Sequence, residues 1–371
     1  MARDPAVPSR TETDEAGTPA PPGTPGGDEG DAGAGVAVDS RAAQVAAEPE
    51  EERTAGVGAY RLALRRLRRN KVALAFFGLF AIIVILSLLA PVYSHDIAHI
   101  GPNNNNVTGQ VRIDGKLTDV VSPTGVPIGP TFQLSHYFFG ADNNGRDVAV
   151  RLLYGGRNSL EIGAIATALT LLLGTIAGTL AGYFRGPVDA VLRPIMELIW
   201  SFPVVLLGVA LGTALALGGI GPIRGNSLYV PAFIIGFVYI PYFGKPVRAE
   251  VLRLREQDFV DAARVQGMGP VRIMASEILP NLASTIIVFL PLLLAQAILL
   301  EAYLSFLGAG VQPPNASWGT LISDGIPQIT TAGHLVLIPG AMLVLAVLGI
   351  NVFGDGVRDA LDPRAQVRIE H

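Results

Sequence analysis

The sequence predicts an all-α polytopic membrane protein: six transmembrane helices, a long external loop and a disordered N-terminal tail. Three observations carry that expectation. Half of the 371 residues are hydrophobic, only 16% are charged and the mean hydropathy is +0.44, whereas soluble domains carry about 25% charged residues. Six stretches are long and apolar enough to cross a bilayer, and the basic residues crowd between alternate stretches. Cysteine is absent, which removes disulfide frameworks, thiol nucleophiles and Cys-based metal sites from consideration.

Residues 1–58 form the tail. The run "GTPAPPGTPGGDEGDAGAG" is dense in Pro, Gly, Ala and acid, and no aromatic residue occurs before Tyr60. Within residues 1–52 twelve acidic side chains face only Arg3, Arg10 and Arg41, so the formal charge of −4 hides a net positive remainder. Such a composition buries too little apolar surface to offset chain entropy. It is not a secretory signal, because the opening lacks a basic region and the first apolar run lies far downstream.

Residues 59–92 hold a basic segment and the first span. "RLALRRLRRNK" (61–71) carries six positive charges, and "VALAFFGLFAIIVILSLLA" (72–90) has Ser87 as its only polar member. Its nineteen residues, at about 1.5 Å each, cover roughly the 30 Å hydrocarbon core. Lys/Arg clustered before a span holds that end in the cytoplasm.

Five further spans are expected in a core over 158–356, at 162–184, 198–223, 226–244, 278–300 and 325–354, the last containing His334. Proline within them is tolerated where neighbouring helices satisfy the freed backbone groups. An even count puts both termini on one side. With that side cytoplasmic, eighteen Lys/Arg after Glu52 fall inside and six outside, and 357–371 forms a C-terminal cytoplasmic tail. This is a multi-pass protein of the cytoplasmic membrane, with lipid as its surroundings and no nucleic-acid partner.

The external loop, 93–157, is too long for a connector. Turn residues around Val111 and Ile113 predict a small hairpin, and "GRDVAVRLLYGGRNSL" predicts an amphipathic helix lying at the outer interface. Asn106-Val-Thr matches a glycosylation sequon within an asparagine run. "DNNGRD" fails calcium-loop spacing because Arg146 stands where a ligand oxygen is needed. His95 and His99 share a helical spacing, but two neutral ligands without a carboxylate make a poor metal site, and a solvated loop is the reading adopted.

Between spans four and five the chain writes "DAARVQGMGPVRIMASEILP" (261–280). Helical periodicity over 256–266 groups Phe259, Ala262, Ala263 and Gln266 on one face, with Asp258, Asp261 and Arg264 turned elsewhere. Gly267 suits a left-handed helix end and Pro270 the first turn of a second helix. Phe beside two Ala is a poor independent core. Two readings fit: a plug for a groove on another protein, or an ordinary amphipathic interfacial loop.

This strip resembles the "EAA" signature of permease subunits in bacterial ABC importers. The signature has an acid, two alanines, a Gly four positions later and Leu-Pro a dozen on, here Asp261, Ala262, Ala263, Gly267, Leu279 and Pro280. Asp replaces Glu with its charge retained, and Glu277 stands where many members have an apolar residue or His. "FGADNNGRDVAVRLLYGGRNSL" (139–160), "LSFLGAGVQPPNASWGTLISDG" (304–325) and "GDGVRDALDPR" (354–364) are similar, in order, to the C-type permease of the dipeptide, oligopeptide and nickel branch. The likeness covers about residues 60–365.

The resemblance implies a homologous second permease, two ABC ATPase subunits and an external substrate-binding lipoprotein, with peptides or nickel chelates as cargo. ATP and Mg²⁺ then belong to the ATPases, and no cofactor to this chain. The sequence has no G-x-x-x-x-G-K-[ST] loop, since its Gly-Lys pairs, Gly115-Lys116 and Gly244-Lys245, continue with Leu and Pro. The strip becomes a coupling helix docked on an ATPase through Phe259, Asp261, Ala262, Ala263, Gln266 and Gly267, with Leu279 and Pro280 returning the chain to the membrane.

Intramembrane acids are functional candidates by default. Glu161 and Glu197 lie at span ends and reach the interface. Glu301, near the outer end of span five, either contacts substrate or braces the following loop. Gln312 and Trp318 belong to a loop that forms an outer gate or anchors at the outer interface. An ATPase-independent carrier or channel is the rival, yet no Asp, Lys or Arg lies at mid-span and no plain repeat is visible. A membrane-embedded enzyme would need a nucleophile beside a base, and Ser201, Ser284 and Ser305 have no His nearby in sequence.

Overall fold

The structure, a computed structural model, describes residues 59–361 apart from 114, 219 and 220. The tail expected over 1–58 and residues 362–371 lie outside the described residues. Helix α1, Ala59–Arg69, is amphipathic, with Arg66, Arg68 and Arg69 in its last turn, where positive charge complements the helix dipole. Asn70 breaks it and caps α2, Lys71–Leu88, by accepting a hydrogen bond from the Ala73 N–H at 3.0 Å. Along α2, Ala73, Phe80, Ile83 and Ser87 turn inward, whereas Ile82, Ile85 and Leu88 remain exposed as a lipid-facing side.

The expected hairpin is present. Strands β1 (Gln110–Ile113) and β2 (Lys116–Asp119) pair antiparallel, with Val111 opposite Thr118 and Arg112 opposite Leu117. Val111, Val120, Val121, Ile128, Tyr137 and Ala141 form a small separate core for the outer loop. Asn106 is exposed and its Nδ2 donates to the Tyr137 hydroxyl at 3.0 Å.

The predicted interfacial helix is instead the first part of α3, Val148–Phe184. Asp147 caps it through the Ala149 and Val150 N–H groups, and nothing after that interrupts the ladder. Its 37 residues reach about 55 Å, nearly twice a hydrocarbon core of about 30 Å. The first third is packed against the protein: Arg151, Leu152, Gly155, Gly156 and Ser159 are buried.

Spans three and four are also rearranged. Gly186–Ser201 (α4) and Val204–Gly218 (α5) meet at 91°, so the expected span 198–223 straddles a corner. Phe202 is extended there, with ψ 139°, as the residue before Pro203 must be. Tyr229–Val238 (α6) and Ile240–Leu254 (α7) bend by 41°. Asp258–Val265 (α8) follows, then α9, Pro270–Phe306, which includes a wide π turn at Met274–Ile278. Trp318–Gly325 (α10) precedes α11, His334–Leu361, so the last span begins nine residues later than its expected start at 325. Among the described residues, helices α2, α3, α9 and α11 are each long and apolar enough to cross a membrane, and the number is up to six if each bent pair is one span.

A glycine ridge joins α3 to α7. Gly174, Gly178 and Gly182 repeat every four residues along one face of α3. A Cβ on Gly178 would lie 2.6 Å from the Gly244 carbonyl oxygen, and one on Gly182 would lie 2.8 Å from the Val251 Cβ. Without a hydrophobic drive between helices in lipid, such close backbone approach is what holds them together. Gly178→Val is expected to destabilise the bundle by about 1–3 kcal/mol through overpacking. Gly78→Ala in α2, where a Cβ meets nothing within 4 Å, is the matched control and should not. Thermal unfolding of the two variants in detergent checks this.

Candidate functional site

The strip between α7 and α9 folds as a short helix on a platform. Val260 and Ala263 of α8 are buried with Val251 and Leu254 of α7 and Ile273, Met274 and Ile278 of α9. Ala263, grouped by periodicity with Phe259, therefore points inward at 3% exposure. The inward face has to satisfy the chain's own core, and a small side chain lets α8 approach. Phe259, Ala262 and Gln266 remain on the outer side, and Asp261, also exposed, pairs with Arg264 at 2.6 Å.

Two apolar residues that periodicity did not single out complete this surface. Val265 is 89% exposed and Val271 73% exposed. Their signal in the sequence is an apolar residue on each side of a glycine turn within a charged strip, where solvent alone gives no reason for either.

Gly267 ends α8 as anticipated, with φ +78°. Its N–H donates to the Arg264 carbonyl at 2.9 Å and the Met268 N–H to the Ala263 carbonyl at 3.1 Å, the paired bonds of a Schellman motif. Beyond the π turn, the Leu279 N–H reaches back to the Met274 carbonyl. Pro280, which has no N–H, then opens the long part of α9. Asn281 Nδ2 donates to the Glu277 carbonyl at 2.6 Å, satisfying an acceptor in the wide turn. Leu279 and Pro280 are both exposed.

The platform is tied sideways to the neighbouring helices. Arg248 of α7 donates twice to the Asp189 carboxylate of α4, both bonds at 2.6 Å. Arg185, at the α3–α4 junction, pairs with Glu256, and the Arg255 guanidinium lies 5.8 Å from the Tyr183 ring centroid. These contacts join the adjoining ends of α3, α4 and α7 beside the platform.

Near the C-terminal end of α9, Glu301 is fully buried. Ser305 Oγ donates to its Oε1 at 2.6 Å and accepts from the Val311 N–H at 2.9 Å, a chain that holds the turn after α9. Ser159 and Ser317 flank the same carboxyl. The geometry is that of a brace, enclosed by this chain's own residues. Trp318 is also wholly buried, so it is not an interfacial anchor: its indole N–H donates to the Leu152 carbonyl at 3.3 Å. A Cβ on Gly156 would lie 2.8 Å from that ring. Gln312 Nε2 donates to the Gly308 and Gly310 carbonyls, both at 3.1 Å.

Gln312 lines a cleft of about 180 Å³ together with Arg146, Arg151, Asn315, Ser323 and Asp324. Asp142 and Asp324 bracket Arg146 and the buried Arg151, at 2.6 to 3.6 Å. Burial pushes the Asp324 carboxyl above its ordinary value, opposed by Arg151 and Arg146. The "DNNGRD" stretch closes on itself, since Asp142 accepts from the Asn144 and Arg146 N–H groups, each at 2.9 Å.

Residues 174–367 match the family described as binding-protein-dependent transport system inner membrane component. The chain belongs to this family. Residues 59–108 further match the N-terminal transmembrane domain of oligopeptide transport permease C. The dipeptide transport system permease protein DppC of Alkalihalophilus pseudofirmus is 35% identical over 85% of this chain and 93% of its own length. The oligopeptide transport system permease protein OppC of Bacillus subtilis is 31% identical over 87% and 95%. Among solved structures, an inward-facing MetNI methionine ABC transporter chain aligns at 17% identity and TM-score 0.47, covering 57% of this chain and 96% of that one.

The first match on this permease begins at Gly174, the head of the glycine ridge, and runs through α8, Glu301 and Trp318. Between the two matched segments lie the hairpin and the larger, N-terminal part of α3 up to residue 173. Glu301→Ala is expected to cost roughly 1–3 kcal/mol, because Ser305 loses its acceptor inside the protein. Glu301→Gln keeps that acceptor and should lose less. Thermal unfolding of the purified permease in detergent reads the difference.

Proposed function

We propose that this permease is one of two homologous membrane subunits of an ATP-driven importer of di- or oligopeptides. A second permease completes the pathway, two ABC ATPases supply the work, and an external lipoprotein delivers the cargo. In this reading ATP and Mg²⁺ are held by the ATPases and this chain catalyses nothing. Its termini and α8 face the cytoplasm, and the hairpin-bearing loop faces outward. The similarity to dipeptide and oligopeptide permeases along nearly their whole length supports the cargo class.

The observation that carries the mechanism is the exposed apolar tip around α8. Phe259, Val265 and Val271 stand free of this chain's core, and Phe259 suits the aromatic anchor of a protein groove. Asp261 and Arg264 lie at its rim. Ala262 lets a partner backbone come close, whereas Ala263 acts within the permease by seating α8 on the platform. When the ATPases close on ATP, the docked helix moves as a rigid body. The Arg248–Asp189 pair and the π turn of α9 pass that movement to the transmembrane helices. Leu279 and Pro280 mark where it enters α9.

Phe259→Ala should weaken association with the ATPases about 30-fold, since an anchor residue is worth about 2 kcal/mol, while the permease still inserts and folds. Co-purification and substrate-stimulated ATP hydrolysis read this directly, and unchanged values for both would refute the docking role. Gly267→Val forces a β-branched residue to positive φ and should lower transport-coupled hydrolysis with insertion intact. The topology is checked separately by labelling Gln266→Cys in cells: reagent that cannot cross the membrane should fail to reach it.

A further inference from the structure

We propose that the cleft between α1, α9 and α11 binds an anionic phospholipid, with hydrocarbon in the cleft and the headgroup on the arginines of α1. The cleft holds about 330 Å³ and every lining side chain is apolar, among them Ala63, Leu64, Leu67, Pro291, Phe353 and Val357. Glycines create it. A Cβ on Gly356 would lie 2.4 Å from the Ala73 Cβ, and one on Gly354 would lie 2.8 Å from the Pro291 Cγ. Helix α11 is thereby drawn tight against α2 on one side and α9 on the other, and α1 roofs the gap that remains.

A cavity without polar lining does not hold water well, so its occupant is hydrocarbon. The mouth says which kind. Leu64, 48% exposed, stands at the opening, and one turn to either side of it are Arg61 (i−3) and Arg68 (i+4). With Arg65 they share one face of α1. Arg61, Arg65 and Arg68 are all exposed, and none forms an ion pair among the described residues. A helix that offers free guanidinium groups beside an apolar slot, immediately before a span, matches a phosphate headgroup carrying acyl chains. Continuity with lipid supports the same occupant, because α2 continues from α1 into the exposed apolar side at Ile82, Ile85 and Leu88. The site does not depend on what the permease transports.

The test uses the assembled transporter purified in detergent and native mass spectrometry with added phosphatidylglycerol or phosphatidylcholine. Phosphatidylglycerol should be retained preferentially, and R61Q/R65Q/R68Q should weaken its retention at least about tenfold. These side chains lie on the surface, so the variant should fold. A bimane label on Leu64→Cys should be quenched more by brominated phosphatidylglycerol than by brominated phosphatidylcholine. Equal retention of the two lipids, or retention unchanged in the triple variant, overturns the proposal. So does cross-linking of Leu64→Cys to the second permease, which assigns the cleft to a protein contact. Phosphatidylglycerol binding that emerges only after deletion of residues 1–52 overturns it too, by making the acidic segment the occupant.

Discussion

Close backbone contact between α3 and α7 is the constraint on which the rest of this permease depends. Inside a bilayer, apolar side chains gain nothing by leaving lipid for another helix, so association rests on shape. Gly174, Gly178 and Gly182 remove the side chains that would keep the two helices apart, and a Cβ on Gly244 of α7 would lie 3.0 Å from the Met196 sulfur of α4. Once α7 is seated, its far end carries α8 at a set height. Val260 and Ala263 then find their partners in α7 and α9 without a separate soluble core. The exposed tip at Phe259 and Val265 is the remainder, the surface that the internal packing leaves uncovered.

The end of the bundle opposite α8 is built on the opposite logic, with polar groups buried and paired. Asp147 caps α3 and also accepts from the Tyr137 N–H, so one carboxylate both starts that 37-residue helix and closes the loop that precedes it. Burial pushes that carboxyl upward, and the N–H groups of Val150, Tyr137 and Ala149 pull it back. Glu301, Ser305 and Val311 repeat the pattern below. Such groups are costly to leave unpaired in a low-dielectric interior. The loops around Asp147 and Glu301 are therefore bound to the bundle, while the surface at α8 leaves Phe259 and Val265 exposed.

Much of this was legible in the residues. The first span, the hairpin near Val111 and the Gly267 turn all follow from local chemistry: an uninterrupted apolar run, alternation around turn residues, and the one residue type that accepts positive φ without strain. The strip at 261–280 was recognisable because its spacing is unusual in a membrane protein. Its exposed face was read less well. Periodicity says which residues share a side of α8, yet whether Ala263 faces inward depends on where α7 and α9 lie, and those positions are set hundreds of atoms away.

Alone, the amino-acid order determined that the chain is helical, lies in a membrane, and carries a charged elbow between two late spans. Hydropathy and helical propensity act over a few residues, so they survive in one dimension. Only the tertiary structure decided that Pro203 turns a corner of 91°, that α3 runs unbroken past the bilayer, and that Trp318 is enclosed by Gly156 and Leu152 rather than set at the interface. Each of these depends on which helix is the neighbour. In lipid the neighbour is chosen by steric fit between distant glycines and side chains, and no local pattern of polarity encodes that fit.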